Sequence, residues 1–241
     1  MQISNFHFSY IDYPGKISVI LFFQGCNYRC PSCHAKNLLE NNESLEEESF
    51  FEYLNYKREW VDGVVLCGGE PTIQDGLINF VKKIKRKGLN IKLDTNGNEP
   101  SVLEKLLEGK LIDYVAMDVK GPEVLYNDLT GRKTNFERIK NSLDVVPQFP
   151  DYEFRTTIVP VIRYNERISF MTPQEIGETA KLIYDCTGKS NSKYFLQKFV
   201  PHKGEGALVD SRLEVFTETP KEILEEGKKL AERYSPHCRI R

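Results

Sequence analysis

The chain has 241 residues, a length that suits one large domain or two small ones and permits a substantial buried core. Hydrophobic residues make up 40% of it, and its 33 basic and 35 acidic side chains leave a net charge of −2. This balance excludes a basic coat protein of nucleic acid and gives the whole molecule no general attraction to anionic membranes. Because no apolar stretch approaches the ~18 residues of a membrane span and no secretory signal is visible, we expect a cytoplasmic protein.

Short runs rich in Val, Ile, Leu, Phe and Thr alternate with amphipathic helical patterns along the chain. The predicted strands are residues 17–23, 63–67, 90–94, 114–119, 153–159 and 193–199. The predicted helices are residues 76–87, 101–108 and 136–145, with three more that begin at Ser44, Thr172 and Thr219. Each of these three residues is followed by Glu at the spacing of a capping box. The alternation predicts an α/β protein with a parallel sheet, and the uniform composition predicts a single domain over residues 1–241.

Polar side chains follow the predicted strands at the point where each strand ends. In chain order they occupy residues 26–33, 68–71, 94–97, 118–121 and 201–204, with Arg155 on the fifth strand. Because the carboxyl ends of parallel strands meet at one end of a sheet, we expect these segments to share one site.

Three of the six cysteines lie close together in the chain. Cys26, Cys30 and Cys33 form the pattern C-x3-C-x2-C, which in a long cytoplasmic chain indicates metal binding rather than disulfides. A structural zinc site needs four ligands, and His34 follows Cys33 too closely to complete the same tetrahedron with ease. Three thiolates suit a [4Fe–4S] cluster with one open iron. A second cluster is not expected from the widely spaced Cys67, Cys186 and Cys238.

The cysteine pattern after the first predicted strand resembles the signature of the radical S-adenosylmethionine (SAM) superfamily. Gly68-Gly69-Glu70-Pro71 after the second strand is similar to the GGEP loop of the same superfamily. The resemblance implies a partial (β/α)6 TIM-type barrel whose [4Fe–4S] cluster is held by Cys26, Cys30 and Cys33. It also implies that the open iron binds SAM, which is cleaved reductively to methionine and a 5′-deoxyadenosyl radical that removes a substrate hydrogen atom.

Four further segments resemble the glycyl-radical-enzyme activating enzymes, and most closely those of anaerobic ribonucleoside-triphosphate reductase. These segments are residues 11–16, 22–34, 93–97 and 117–120. The resemblance implies a glycyl radical enzyme as partner, with anaerobic ribonucleotide reductase as the expected one, and flavodoxin or ferredoxin as electron donor. Two positions depart from the family pattern, because Ser32 replaces an aromatic residue and Ala35 replaces an asparagine.

The same resemblance implies roles for individual residues around SAM. The cofactor-binding residues implied are Gly68, Gly69, Glu70, Asp94, Thr95, Asn96, Asp118, Lys120 and His202. Asp94, Thr95 and Asn96 would lie near the ribose and the carboxylate, Lys120 would neutralise the carboxylate, and His202 would lie beside the adenine. Asp94 and Asp118 could also hold a monovalent cation against the carboxylate.

Two residues are implied to face the substrate, Asp12 and Arg155. Two alternatives to glycyl radical activation remain open on the sequence: a radical SAM enzyme that modifies a small molecule or a peptide, and a zinc-stabilised binding module without turnover. The basic run at residues 82–87 is interpreted as a solvated helix face, with docking of an acidic electron donor as the alternative. The spread of Tyr and Phe favours a core over stacking platforms for nucleic acid.

Overall fold

The computed structural model describes residues 1–39, 43–164, 166–201 and 208–241. The strands within these ranges are β1 (Ile3–Tyr13), β2 (Lys16–Phe23), β3 (Gly63–Gly68), β4 (Asn90–Thr95), β5 (Tyr114–Asp118), β6 (Tyr152–Ile158), β7 (Pro160–Ile162), β8 (Ile168–Phe170), β9 (Tyr194–Lys198) and β10 (Arg239–Ile240). The α-helices are α1 (Glu47–Tyr56), α2 (Leu77–Lys85), α3 (Pro100–Glu108), α4 (Tyr126–Thr130), α5 (Phe136–Val145), α6 (Pro173–Thr187) and α7 (Lys221–Ala231). Among the described helices, none combines the length and the apolar character needed to cross a bilayer.

One mostly parallel sheet organises the molecule. Its strand order is β1-β2-β3-β4-β5-β6-β9-β10. Within this order the six neighbouring strands β2, β3, β4, β5, β6 and β9 pair in parallel. Each of the six parallel strands leads through a helix to the next, so the chain forms the predicted partial (β/α)6 TIM-type barrel. All six predicted strands are confirmed to within one or two residues at their ends.

Three parts of the β-structure were absent from the prediction. The first is β1, which pairs antiparallel with β2 and forms the edge of the sheet. The second is the β7–β8 hairpin, and the third is the short β10 beside β9. The sequence of β1 does alternate apolar and polar residues around Phe6 and Phe8, so a period-two signal for that strand was present.

The main core lies between the outer face of the sheet and the helices. Leu21, Leu66 and Leu93 are fully buried on neighbouring strands, and they meet helix residues such as Phe80 and Leu103 in one continuous apolar cluster. Each fully buried Leu or Phe stabilises the fold by roughly 1.5–3 kcal/mol relative to exposure. This packing accounts for the near-continuous apolar runs from which the strands were predicted.

The three predicted capping boxes had different outcomes. Thr172 caps α6 as expected, because its side chain accepts from the backbone of Glu175 while the Glu175 carboxylate accepts from the backbone of Thr172. Ser44 does not cap α1, since its Oγ accepts from the Ile3 N–H at 2.9 Å and the helix starts at Glu47. Thr219 does not cap α7, because its Oγ1 donates to a strand carbonyl at 2.7 Å. In both failures a long-range hydrogen bond uses the hydroxyl that the local pattern assigned to the cap.

The inside of the barrel is divided into two layers along the strands. Near the amino-terminal ends of the strands, Tyr13, Ile20, Val65, Tyr114 and Ala116 form a small apolar cluster of their own. Side chains alternate between the two faces of a strand, so the inward positions nearer the carboxyl ends fall on charged residues of β4, β5 and β6. The candidate site begins at this second layer.

Candidate active site

The loop that follows β2 carries the three clustered cysteines. Its base is closed by a hydrogen bond from the Gly25 N–H to the Leu38 carbonyl at 2.6 Å. The Arg29 guanidinium donates to the carbonyls of Cys26 and Tyr28, both at 2.7 Å, and so bends the chain back on itself. These hydrogen bonds to backbone carbonyls define the shape of the turn.

The three thiols have the chemistry of iron–sulfur ligands. Cys26, Cys30 and Cys33 are all unpaired and partly buried. Burial raises the pKa of Cys26 to about 11, and burial also raises the pKa of Cys30. Buried thiols are costly to ionise alone, whereas a bound metal compensates the thiolate charge, so this donor set fits a metal centre.

A [4Fe–4S] cluster and a zinc ion make different demands on the cysteines. A cubane binds each thiolate to a different iron, whereas a tetrahedral zinc site needs ligands that converge on one point. In the described part of the chain, no group of three His, Cys, Asp or Glu side chains is arranged around a single point.

Two glycines at the end of β3 hold the cysteine loop by close backbone contact. The Gly69 N–H donates to the Phe23 carbonyl and the Glu70 N–H donates to the Gly25 carbonyl, both at 2.9 Å. A Cβ at Gly69 would lie 1.9 Å from the Gly25 oxygen, which real structures do not permit. Gly68 has φ of +115°, and a Cβ there would lie 2.4 Å from the backbone nitrogen of Phe23. The glycine pair therefore sets the position of the cysteine loop against the sheet.

Glu70 joins the loops that follow β3 and β4. Its Oε1 accepts from the Thr72 N–H at 3.1 Å, the Thr72 hydroxyl at 2.5 Å and the Thr95 hydroxyl at 2.8 Å. Its Oε2 accepts from the Asn96 N–H at 2.7 Å. Burial raises the pKa of this carboxyl, while the hydrogen bonds act in the opposite direction. The implied contact of Glu70 with SAM stays a prediction. The structure shows in addition that Glu70 holds the loop after β3 to the loop after β4.

Asn96 connects the loop after β4 to the cysteines. Its side-chain nitrogen donates to Asn27 Oδ1 at 2.7 Å and lies 3.8 Å from the Cys26 sulfur. Asn27 in turn donates to Glu99 at 3.4 Å. The loops after β2, β3 and β4 thus form one hydrogen-bonded unit, as expected for strand ends that meet at one end of the barrel.

Five charged residues of alternating sign line the barrel below these loops. In spatial order they are Lys92, Asp94, Arg155, Asp118 and Lys120. Lys92 pairs with Asp94 Oδ1, and Arg155 Nη1 lies 3.2 Å from Asp94 Oδ2. Arg155 Nε lies 2.9 Å from Asp118 Oδ1, and Lys120 Nζ lies 3.0 Å from Asp118 Oδ2. We call this series the charge chain.

Asp118 and Lys120 hold each other in their charged forms. Burial alone would raise the pKa of Asp118, but Arg155 and Lys120 outweigh it and hold that pKa well below its usual range. Burial would lower the pKa of Lys120, but Asp118 outweighs it and raises that pKa. The ammonium of Lys120 is therefore a permanent cation, and it stands at the end of the charge chain that is nearest the cysteine loop.

The four carboxylate oxygens of Asp94 and Asp118 do not fit an additional cation. Each oxygen already contacts a nitrogen of Lys92, Arg155 or Lys120. A monovalent ion would have to displace one of these side chains to bind both aspartates. The implied cation site stays a prediction, and in this structure nitrogens of the protein lie against all four oxygens.

A cavity of about 400 Å³ opens between the cysteine loop and the charge chain. Its polar lining includes Cys30, Cys33, Asp118, Lys120 and Arg155. Its apolar lining includes Leu129, Val159 and Phe199. Mixed linings of this size are typical of sites for small molecules and cofactors.

The structure brings most of the sequence-predicted residues together, with two exceptions. Asp12 lies near the start of β2, with its carboxylate bonded to Ser9, whereas the cysteines follow the far end of β2. The strand between them spans roughly 23 Å at ~3.3 Å per residue, so Asp12 is not part of this group. Its role toward a substrate stays a prediction that requires a substrate reaching the opposite end of the barrel. His202 lies outside the described residues.

The sequence interpretation missed two charged residues inside the barrel and the exposed arginine that pairs with one of them. Lys92 is the first member of the charge chain, and Glu153 is 1% exposed. Arg241 donates to both oxygens of Glu153, at 2.9 and 2.8 Å, and the Tyr114 hydroxyl donates to the same carboxylate at 2.8 Å. Lys92 and Glu153 stand two residues before Asp94 and Arg155, so strand periodicity could have placed them on the inner face. No local signal points to Arg241.

The basic run at 82–87 lies away from the site. It forms the end of α2, and Lys85 contacts Asp113, which directly precedes β5, at 2.9 Å. Lys83 pairs with Glu47 at 2.5 Å. The run is thus at the amino-terminal end of the strands, opposite to the cysteine loop, which favours the interpretation as a solvated face.

Comparison with known proteins gives a family-level match over much of the chain. The model of the radical SAM superfamily matches residues 20–171. A protein of Methanocaldococcus jannaschii named as a candidate glycyl-radical enzyme activating enzyme is 35% identical, over 97% of this chain and 92% of that protein. The pyruvate formate-lyase-activating enzyme of Streptococcus mutans is 36% identical over 47% of this chain and 48% of its own length.

Solved structures agree on the fold. Streptococcus suis SuiB, in its complex with the precursor peptide SuiA, superposes with a TM-score of 0.64 over 92% of this chain and 48% of that one, at 14% identity. Coproporphyrinogen III oxidase of Escherichia coli superposes with a TM-score of 0.59 over 93% of this chain and 53% of that one, at 14% identity. At such identities the likeness concerns the barrel alone.

Proposed function

Because the chain belongs to the radical SAM superfamily, we propose that it is a glycyl-radical-enzyme activating enzyme that binds a [4Fe–4S] cluster through Cys26, Cys30 and Cys33. The observation that carries the proposal is that two of the three clustered thiols, Cys30 and Cys33, meet the ammonium of Lys120 at one cavity, with Cys26 on the same loop. Thiolates are ligands for the cluster, and the ammonium of Lys120 is a partner for the carboxylate of SAM.

The bound cluster would supply the electron for reductive cleavage of SAM to methionine, and the 5′-deoxyadenosyl fragment released would take a hydrogen atom from the substrate. The protein's own residues bind and orient. Lys120 holds the carboxylate of SAM by a charge-assisted hydrogen bond, and Gly68 and Gly69 keep the cysteine loop pressed to the sheet. Leu129 and Phe199 in the cavity wall limit the access of water.

The substrate we propose is a backbone glycine of a partner protein, with anaerobic ribonucleotide reductase as the first candidate. The support is the similarity along nearly the whole chain to the candidate activating enzyme of Methanocaldococcus jannaschii. A flavodoxin or ferredoxin would deliver the electron, and the cytoplasm is the expected location. A monovalent cation, also implied by the family resemblance, is not part of this proposal.

The test begins with anaerobic purification and reconstitution, followed by analysis of iron, sulfide and zinc. We expect about four irons per chain and formation of 5′-deoxyadenosine when dithionite and SAM are added. Cys30→Ala should lose both, whereas Cys186→Ala, which alters a partly buried thiol on α6, should retain both. Zinc in place of iron, or turnover by Cys30→Ala, would contradict the ligand assignment.

The partner is tested separately by electron spin resonance. The reconstituted protein is mixed with SAM, a reductant and anaerobic ribonucleotide reductase, and a glycyl radical signal is expected. Pyruvate formate-lyase serves as the comparison substrate. SAM cleavage without a radical on either protein would sink glycyl radical activation and favour the small-molecule or peptide alternative.

A further inference from the structure

The guanidinium of Arg155 stands between two carboxylates at the centre of the charge chain. Its Nη1 lies 3.2 Å from Asp94 and its Nε lies 2.9 Å from Asp118. The side chain of Arg155 is 15% exposed and that of Asp94 is 14% exposed, so bulk water screens the contact between them weakly. Two carboxylates facing each other in this way would repel strongly without a cation between them.

The fold, and not side-chain flexibility, places this cation. Arg155 on β6 and Asp118 on β5 are direct partners in the parallel sheet. Asp94 on β4 is paired with Ala116, which precedes Asp118 by two positions on the same inner face. Backbone pairing therefore fixes Arg155 and Asp118 at one level of the sheet and Asp94 two positions nearer the amino-terminal ends of the strands, within reach of the Arg155 guanidinium.

The net charge of the charge chain and its neighbours supports the same interpretation. Lys92, Arg155, Lys120 and Arg241 contribute four positive charges. Asp94, Asp118 and Glu153, the last of which lies 4.0 Å from Arg155 and pairs with Arg241, contribute three negative charges, so one positive charge is left over. A single arriving carboxylate balances that surplus. An extra monovalent cation would instead double it in a poorly solvated site, which is unfavourable.

We propose that Arg155 is a positioning residue that serves as the built-in cation between Asp94 and Asp118, so that this enzyme needs no bound sodium or potassium ion. The consequence for SAM cleavage rests on the proposed function. The consequence for cation binding does not, because it concerns the protein before SAM arrives. Removing the guanidinium should turn the aspartate pair into a site that a monovalent cation can fill.

The experiment compares the wild type with Arg155→Met and Arg155→Lys. The proteins are prepared anaerobically with the cluster, and choline chloride replaces sodium and potassium salts at constant ionic strength. Binding of thallium(I), a potassium mimic, is followed by its magnetic resonance signal without SAM, and thermal unfolding is measured in potassium and in choline chloride. Arg163→Met is the matched control, since Arg163 pairs with Glu175 outside the charge chain.

We expect thallium binding and potassium-dependent stabilisation in Arg155→Met alone. SAM cleavage by that variant should rise about tenfold from choline to potassium, while the wild type, Arg155→Lys and Arg163→Met respond equally to both salts. Thallium binding by the wild type between these aspartates, abolished by Asp94→Asn, would overturn the proposal. So would a folded Arg155→Met that ignores potassium.

If Arg155→Met does not fold, the wild-type thallium measurement decides the question by itself. If no variant cleaves SAM in any salt, the proposed function fails, while the binding and unfolding data still test the built-in cation.

Discussion

The two ends of the barrel interior are built from the same strands but by opposite principles. At the amino-terminal end, Tyr13, Ile20, Val65 and Ala116 pack together, and the buried Glu153 carboxylate accepts hydrogen bonds from Tyr114 and Arg241. At the carboxyl end, thiols and Lys120 border a cavity. The first arrangement closes the barrel and the second leaves groups ready for a ligand. The difference shows that a buried charge does not by itself indicate a ligand-binding site. A buried charge that borders an open cavity does.

The largest expected effect comes from Gly69→Ala. Because the added Cβ would meet the Gly25 oxygen, the cysteine loop must move, and we expect loss of cluster incorporation and at least about 3 kcal/mol of stability. Gly76→Ala is the matched control, since Gly76 has φ of +82° and open space around it. That change should cost about 1–2 kcal/mol and leave the iron content unchanged. Equal iron contents in the two variants would contradict the bracing role.

Lys120→Met should affect ligand binding far more than folding. Loss of the ammonium removes a charge-assisted contact worth about 1.5–3 kcal/mol, so calorimetry should show SAM affinity reduced by about 10- to 150-fold. Lys193→Met, at the opposite end of the barrel, removes a lysine that pairs with Asp151 at 2.6 Å and should leave the affinity unchanged. Similar affinities for the two variants would mean that Lys120 does not contact the carboxylate.

Tyr114→Phe should show the reverse pattern. The change removes the hydroxyl that donates to the buried Glu153 carboxylate, and urea unfolding should reveal a loss of about 1–3 kcal/mol. SAM affinity and 5′-deoxyadenosine formation should not change, because Tyr114 belongs to the closed end. Reduced SAM affinity with unchanged stability would contradict the assignment of Tyr114 to a structural end of the barrel that is separate from the SAM site.

The smallest effect concerns pH. The pKa of Asp118 is held below its unfolded value, so its ion pairs stabilise the fold above the unfolded pKa of ~3.9, and the stabilisation is lost as pH falls toward the folded pKa. The stability difference between wild type and Asp118→Asn, measured by urea unfolding, should stay constant from about pH 7 to 5 and narrow below about pH 4. A stability difference that stays constant below pH 4 would show that the pKa of Asp118 is not depressed.

Local patterns predicted the strands and the loop thiols with good accuracy. The six parallel strands carry apolar runs because both of their faces are buried, and the cysteine spacing lies within one loop. Predictions that depended on a distant partner fared worse. Ser44 and Thr219 looked like helix caps, yet each makes its hydrogen bond to a strand far along the chain. Predictions succeeded where the residues that decide the structure are neighbours in sequence, and they failed where a hydrogen-bond partner lies far away in sequence.

The sequence by itself determined the alternation of strands and helices, the loop that carries Cys26, Cys30 and Cys33, and the face of each strand on which Asp94, Asp118 and Arg155 stand. Those properties follow from residue spacing within a few positions. Only the tertiary structure decided that Arg155 bridges the two aspartates and that Glu70 ties two loops together. Such partnerships depend on which strands are neighbours and in what register, and that is settled by packing of the whole sheet rather than by any local pattern.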